Sequence, residues 1–141
     1  MTPRPLPLNL HASYGDIRMQ IYTLGLPVTV GNAPRLPDGM RGCYCEDTHT
    51  ILIDRRITYT AKRCTLVHEL IHWQHADAHC GIHETRTRRE AAQRLISLTD
   101  YALAERVYDA DKWLMASELN VTADVIDAYR MLLHDQYGNH A

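Results

Sequence analysis

The residues best suited to chemistry are His68, Glu69 and His72, which together form the pattern H-E-x-x-H. In an α-helix, residues four positions apart lie on one face, about one turn from each other. Two imidazoles at that spacing can bind one Zn²⁺ ion at about 2.0–2.1 Å. Glu69 lies about 100° further round the helix, so we expect it to be a general base acting on a metal-bound water and not a ligand. The pattern predicts one zinc ion per chain.

A zinc peptidase also needs a third protein ligand and an open position for water. Near the pattern, the candidates for this ligand are His75, His79, His83, Glu84 and Glu90. His75 lies about 10 Å along the helix from His68, which is too far for one ion to bridge. The pattern H-E-x-x-H-x-x-G-x-x-H is excluded, because the chain has His75 in place of the Gly and Ala78 in place of the last His. A Glu from the following helix is the common alternative. Glu84 and Glu90 point about 120° apart, so only one of them can bind the ion.

The elements that position these residues follow from the hydrophobic pattern. It predicts a short helix over residues 13–24, a strand over 27–30, and an antiparallel hairpin with strands 41–46 and 49–54. From Thr60, which is a plausible N-cap, the pattern is helical and carries H-E-x-x-H. Further helices are predicted over 84–96, 99–108, 110–119 and from a Thr122 cap to about 136. Strands followed by helices indicate an α+β fold with a small antiparallel sheet and a C-terminal helical pair.

Length and composition limit the class of protein. The chain has 141 residues, enough for one domain over 1–141, and residues 1–12 hold three prolines and read as a loose N-terminal arm. A net charge of −2 argues against a nucleic-acid or acidic-membrane binder. No apolar run approaches the roughly 20 residues of a membrane span. Four cysteines are too few for a disulfide framework and the N-terminus has no signal-peptide pattern, so we expect reduced thiols and a cytoplasmic location.

The C-terminal segment 110–136 has the pattern of a helix-turn-helix. Its second helix carries Asp124, Asp127 and Asp135, with Arg130 as its one cation. A recognition helix must approach DNA phosphates, which would repel these carboxylates. We therefore expect a packing or partner-docking segment and no direct contact with nucleic acid.

Four stretches resemble the ImmA/IrrE family of zinc metallopeptidases, in the short form common in actinobacteria and their phages. They cover about residues 40–135 and are Thr50–Asp54, Arg63–His72, Glu84–Ile96 and Trp113–Thr122. In the family, the helix after H-E-x-x-H reads approximately E-x-E-A-N-x-F-A-A-x-L-L. Aligned through Ala91-Ala92, the leading Glu of the family falls on Glu84, which the resemblance implies as the third zinc ligand. The chain departs from the family at three positions, with Arg86 for the second Glu, Arg88 for Asn and Glu90 for Phe.

The resemblance implies a helical zincin-like core and a zinc-dependent endopeptidase in which His68, His72 and Glu84 bind Zn²⁺ and Glu69 is the catalytic base. It also implies substrates of the helix-turn-helix repressor kind, from a phage or mobile element. A substrate strand could add to the edge of the hairpin sheet, and Tyr101 and Tyr108 are candidates for stabilising the oxyanion. The alternative is a zinc-containing regulatory module that docks a repressor without cleaving it. The presence of Glu69 argues against that alternative, because a purely structural zinc site has no use for a base.

Overall fold

The sheet is small and mixed. The computed structural model describes residues 2–78 and 81–137, and its three strands are β1 (Thr29–Ala33), β2 (Gly42–Cys45) and β3 (Thr50–Asp54). The predicted hairpin is confirmed, because β2 and β3 pair antiparallel with Tyr44 opposite Ile51. The prediction of an antiparallel sheet is wrong, since β1 pairs with β3 in parallel.

The central position of β3 explains the mixed pairing. Its residues Ile51 and Ile53 are fully buried, so the most apolar strand takes the middle of the order β1-β3-β2. After β1, the chain crosses the end of β3 and enters β2 on the opposite side. The backbone N–H of Asp54 donates to Arg41 O at 2.8 Å, and that of Arg55 donates to Ala33 O at 2.9 Å, which fixes this crossing. The far edge of β2 has no strand partner within the described part of the chain.

The helices follow the predicted order with ends shifted by a few residues. Within the described residues, they are α1 (Tyr14–Leu24), α2 (Tyr59–Gln74), α3 (Glu84–Leu95), α4 (Leu98–Val107), α5 (Lys112–Leu119) and α6 (Ala123–Tyr137). None of these helices is long and apolar enough to cross a membrane. The N-cap of α2 is Thr58, whose hydroxyl accepts the N–H of Ala61 at 3.1 Å. The predicted cap, Thr60, instead donates its hydroxyl to Asn120 Oδ1 at 2.6 Å.

Helix α2 is the centre of the domain. It packs against β2 and β3 on one side and against α1 and α3 on others. Leu70 and Ile71, the two x residues of H-E-x-x-H, are fully buried. Burial of a Leu or Ile side chain contributes about 1.5–3 kcal/mol, so the core holds this helix, and with it the spacing of its polar residues, in place.

Residues 2–12 have no helix or strand but pack against the domain. Leu6 and Leu10 lie in the hydrophobic core. The Arg4 guanidinium binds the Glu46 carboxylate through two hydrogen bonds of 2.8 and 2.9 Å. Arg63, which is buried on α2, donates to Leu10 O at 2.7 Å. The arm is therefore draped over the domain and held in place by these contacts.

The C-terminal helical pair is built onto the same core. Helix α5 is capped by Asn120, which has φ of 53° and donates its N–H to Ala116 O and Ser117 O. A second donor of Arg63 binds Asn120 O at 2.6 Å and ties this turn to α2. Helix α6 packs on both α5 and α3, so the segment predicted to pack or to dock a partner supports the helix that begins with Glu84.

Candidate metal centre

His68 and His72 lie one turn apart on α2, as the H-E-x-x-H pattern predicts. Their ring centroids are 5.0 Å apart. The His72 side chain is 4% exposed and the His68 side chain 20% exposed, so both rings sit at the base of a cleft. The pKa of His68 is lowered, because the effect of burial is larger than the opposing effect of the Glu84 charge. A lowered pKa favours the neutral imidazole, which is the form that binds a metal.

Glu84, the first residue of α3, brings a carboxylate to both rings. Its Oε1 lies 2.8 Å from His72 Nε2, and its Oε2 lies 3.1 Å from His68 Nε2. One ligand atom from each of the three residues lies within 4.8 Å of the others. Three ligands of a tetrahedral Zn²⁺ at about 2.0–2.1 Å lie roughly 3.4 Å apart. Both the spacing and the His-His-Glu donor set therefore fit one such ion.

The carboxylate of Glu84 is kept ionised by its neighbours. Burial raises its pKa, but the charges and hydrogen bonds of His68 and His72 outweigh that effect and lower the pKa below its usual value. A metal ligand must be deprotonated. The surroundings of Glu84 thus favour the form that binds a cation.

The other candidates for the third ligand lie elsewhere. Glu90 Oε2 lies 2.9 Å from His75 Nε2, which is one helical turn beyond His72 on α2. His83 precedes α3, and its Nε2 lies 3.8 Å from Asp77 Oδ1. His79 lies outside the described residues. Of the two glutamates that the spacing left open, Glu84 is the one that the structure brings to the histidine pair.

Glu69 lines the same cleft but is not one of the three grouped ligands. Its side chain is on the buried face of α2, and burial is the main reason why its pKa is raised to about 7. The nearby charge of His72 acts to lower this pKa, and that of Glu84 acts to raise it. A carboxyl with this pKa exchanges a proton readily near neutral pH, which is the property required of a general base. A bound cation nearby would lower the pKa and favour the carboxylate.

Asp77 also contacts the candidate site, although the sequence pattern did not indicate it. It follows α2 and its Oδ2 lies 2.7 Å from His72 Nδ1, on the side of the ring away from Glu84. Arg86, from the first turn of α3, also donates to Oδ2. The Asp77 side chain is 5% exposed. In the sequence, Asp77 is only an Asp five residues after a predicted ligand His. That spacing does not indicate that its carboxylate contacts the His72 ring.

The cleft above the histidines measures about 830 Å³. One wall is the edge of β2 with the residues before it, the base is α2, and the other wall is formed by α3 and α6. The two walls meet where Arg41 Nη1 binds Asp124 Oδ2 at 3.1 Å. At Gly42, an added Cβ would lie 2.5 Å from Thr65 Cγ2. The missing side chain lets the edge strand approach α2 one turn before His68 and Glu69.

The structure also places the remaining predicted residues. The two tyrosines considered for the oxyanion do not line the cleft. The Tyr101 hydroxyl accepts from Arg130 Nε at 3.3 Å, and the Tyr108 hydroxyl donates to Glu118 at 3.3 Å. The carboxylates of α6 are paired, among them Asp127 with Lys112 at 3.3 Å. Helix α6 thus serves as a cleft wall, with Val125, Ala128 and Met131 facing the opening.

No protein-family model, curated protein or solved structure matches the chain. The interpretation of the site therefore depends on its geometry and its donor chemistry. Both are compatible with a metal ion held by His68, His72 and Glu84 at the base of an open cleft.

Proposed function

We propose that the protein is a zinc-dependent endopeptidase of the ImmA/IrrE type, with a zincin-like core. The observation that carries the proposal is the convergence of Glu84 on the Nε2 atoms of His68 and His72, with Glu69 in the same cleft. Three protein ligands and an open side are typical of catalytic zinc, whereas structural zinc has four protein ligands. Bound Zn²⁺ supplies a Lewis acid for the peptide carbonyl and lowers the pKa of the attacking water.

The residues of the chain then have distinct roles. His68, His72 and Glu84 hold the ion. Glu69 accepts a proton from the attacking water at its carboxylate and passes it to the leaving amine, as a general base and then a general acid. Burial raises the affinity of this carboxylate for a proton and a bound cation would lower it, so the group can both take up and return the proton.

The shape of the cleft supports an extended protein substrate. The far edge of β2 borders the cleft, and its backbone groups can pair with a substrate strand by β-augmentation. A helix-turn-helix repressor of a phage or mobile element is the substrate that the family resemblance favours. We place the reaction in the cytoplasm, where such a repressor acts.

The proposal is tested with purified chain loaded with one equivalent of Zn²⁺ and incubated with an unfolded protein and a mixed peptide library. Mass spectrometry should show internal cleavage products that disappear with a zinc chelator and return when Zn²⁺ is added back. Absence of stoichiometric zinc binding would overturn the proposal. Zinc binding without cleavage of any substrate would favour the regulatory module that docks a repressor.

A further inference from the structure

The loop between α2 and α3 buries a carboxylate that the sequence pattern does not require. Asp77 is attached to the end of α2 through its backbone N–H, which donates to His72 O at 3.0 Å. Its side chain is 5% exposed. Burial of an ionised carboxylate is unfavourable unless it is paired and hydrogen-bonded. The position of Asp77 therefore calls for specific partners, and these are His72 and Arg86.

We infer that Asp77 is a positioning residue, which orients the His72 ring so that its Nε2 lone pair points at the metal position. The inference rests on the proposed zinc site. A carboxylate can only accept hydrogen bonds, so the 2.7 Å contact from Asp77 Oδ2 to His72 Nδ1 places the ring proton on Nδ1. With the Nδ1 proton held by Asp77, Nε2 is the ring nitrogen left to exchange its contact with Glu84 for a bond to a cation. That nitrogen, Nε2, is the atom that faces Glu84 at 2.8 Å.

Arg86 extends this arrangement to the second helix. Its guanidinium binds Asp77 Oδ2, and it lies two residues after Glu84 in the first turn of α3. Asp77 thereby contacts both the helix that carries the histidines and the helix that carries the glutamate. Partners of this kind that orient a metal ligand typically contribute 10–100-fold to metal affinity.

The inference is tested by zinc competition against a chromophoric chelator and by the absorption spectrum of the Co²⁺-loaded protein. Asp77→Ala should lower zinc affinity by about 10–100-fold and alter the Co²⁺ spectrum. Asp77→Asn keeps an oxygen that accepts from Nδ1–H, so it should lose less affinity than Asp77→Ala. The matched control is Asp54→Asn, which changes another buried carboxylate paired with an arginine, Arg56, outside the cleft and should leave both readouts near the wild-type values.

A measurement on the wild type avoids any loss of folding in the variants. In the zinc-loaded protein, nitrogen-15 NMR should show His72 with a proton on Nδ1 and the metal on Nε2. Metal on Nδ1, or an Asp77→Ala variant that folds and binds zinc as tightly as wild type, would overturn this inference while leaving the zinc site intact. A wild type that binds no zinc would overturn the proposed function, and this inference with it.

Discussion

Replacing Glu84 with Ala tests which carboxylate completes the metal site. Glu84 contacts both Nε2 atoms, whereas Glu90, six residues later, contacts His75. Four-ligand zinc sites bind with about 10–16 kcal/mol, or roughly 2.5–4 kcal/mol per ligand. Loss of one ligand should thus weaken zinc binding by about 10²–10³-fold. We expect that loss for Glu84→Ala and a change of less than about threefold for the control Glu90→Ala.

The assay is a zinc titration against a chelating dye, supported by thermal unfolding with and without zinc. At a free zinc concentration of 100 times the wild-type Kd, bound zinc stabilises the native state by about 2.7 kcal/mol. Glu84→Ala should lose most of this stabilisation but unfold like the wild type when metal is absent. The reasoning is refuted if Glu90→Ala weakens zinc binding more than Glu84→Ala does, or if Glu84→Ala binds zinc with wild-type affinity.

Two further predictions concern the frame around the site. Gly42→Ala places a Cβ 2.5 Å from Thr65 Cγ2 and should lower the free energy of unfolding by about 1–3 kcal/mol in denaturant unfolding. The control is Gly31→Ala, whose Cβ meets only an ordinary 3.4 Å contact and should change the free energy of unfolding by less than about 0.5 kcal/mol. Equal effects of the two substitutions would contradict the close packing of β2 on α2. The hydrogen bonds of Arg4 lower the pKa of Glu46 to about 2 from 4.5, so the pair stabilises the fold above pH 4.5 and that contribution is lost as the pH falls towards 2. Glu46→Gln should remove about 1–2 kcal/mol at pH 7, after allowance for solvent screening, and flatten the acid limb of the stability profile; an unchanged acid limb would argue against the pair.

The sequence predicted the elements that carry the site because their signals are local. The apolar residues around H-E-x-x-H indicated a buried helix, and Leu70 and Ile71 are indeed fully buried. The continuous apolar run of β3 indicated a buried strand in a hairpin. Both patterns depend on residues only a few positions apart, and each forms because it buries an apolar face.

Features that depend on contacts between distant segments could not be predicted in this way. The five residues of β1 do not encode whether the strand pairs with β2 or with β3. It pairs with β3 in parallel, whereas an antiparallel sheet was expected. The spacing left Glu84 and Glu90 open, and the choice depends on how α3 rotates against α2. Asp77 is close to His72 in the chain, but the sequence does not show that the turn after α2 directs its carboxylate to the His72 ring.

The most direct test of the zinc peptidase proposal is the cleavage rate of Glu69→Gln relative to wild type, measured on a helix-turn-helix repressor encoded beside this gene. The substitution keeps the shape of the side chain and leaves His68, His72 and Glu84 in place, so zinc content should remain near one per chain. Without a proton acceptor, cleavage should fall by about 10²–10⁴-fold while the variant still captures uncut repressor. A Glu69→Gln variant that cleaves the repressor as fast as the wild type would contradict the proposed role of Glu69 and the mechanism built on it.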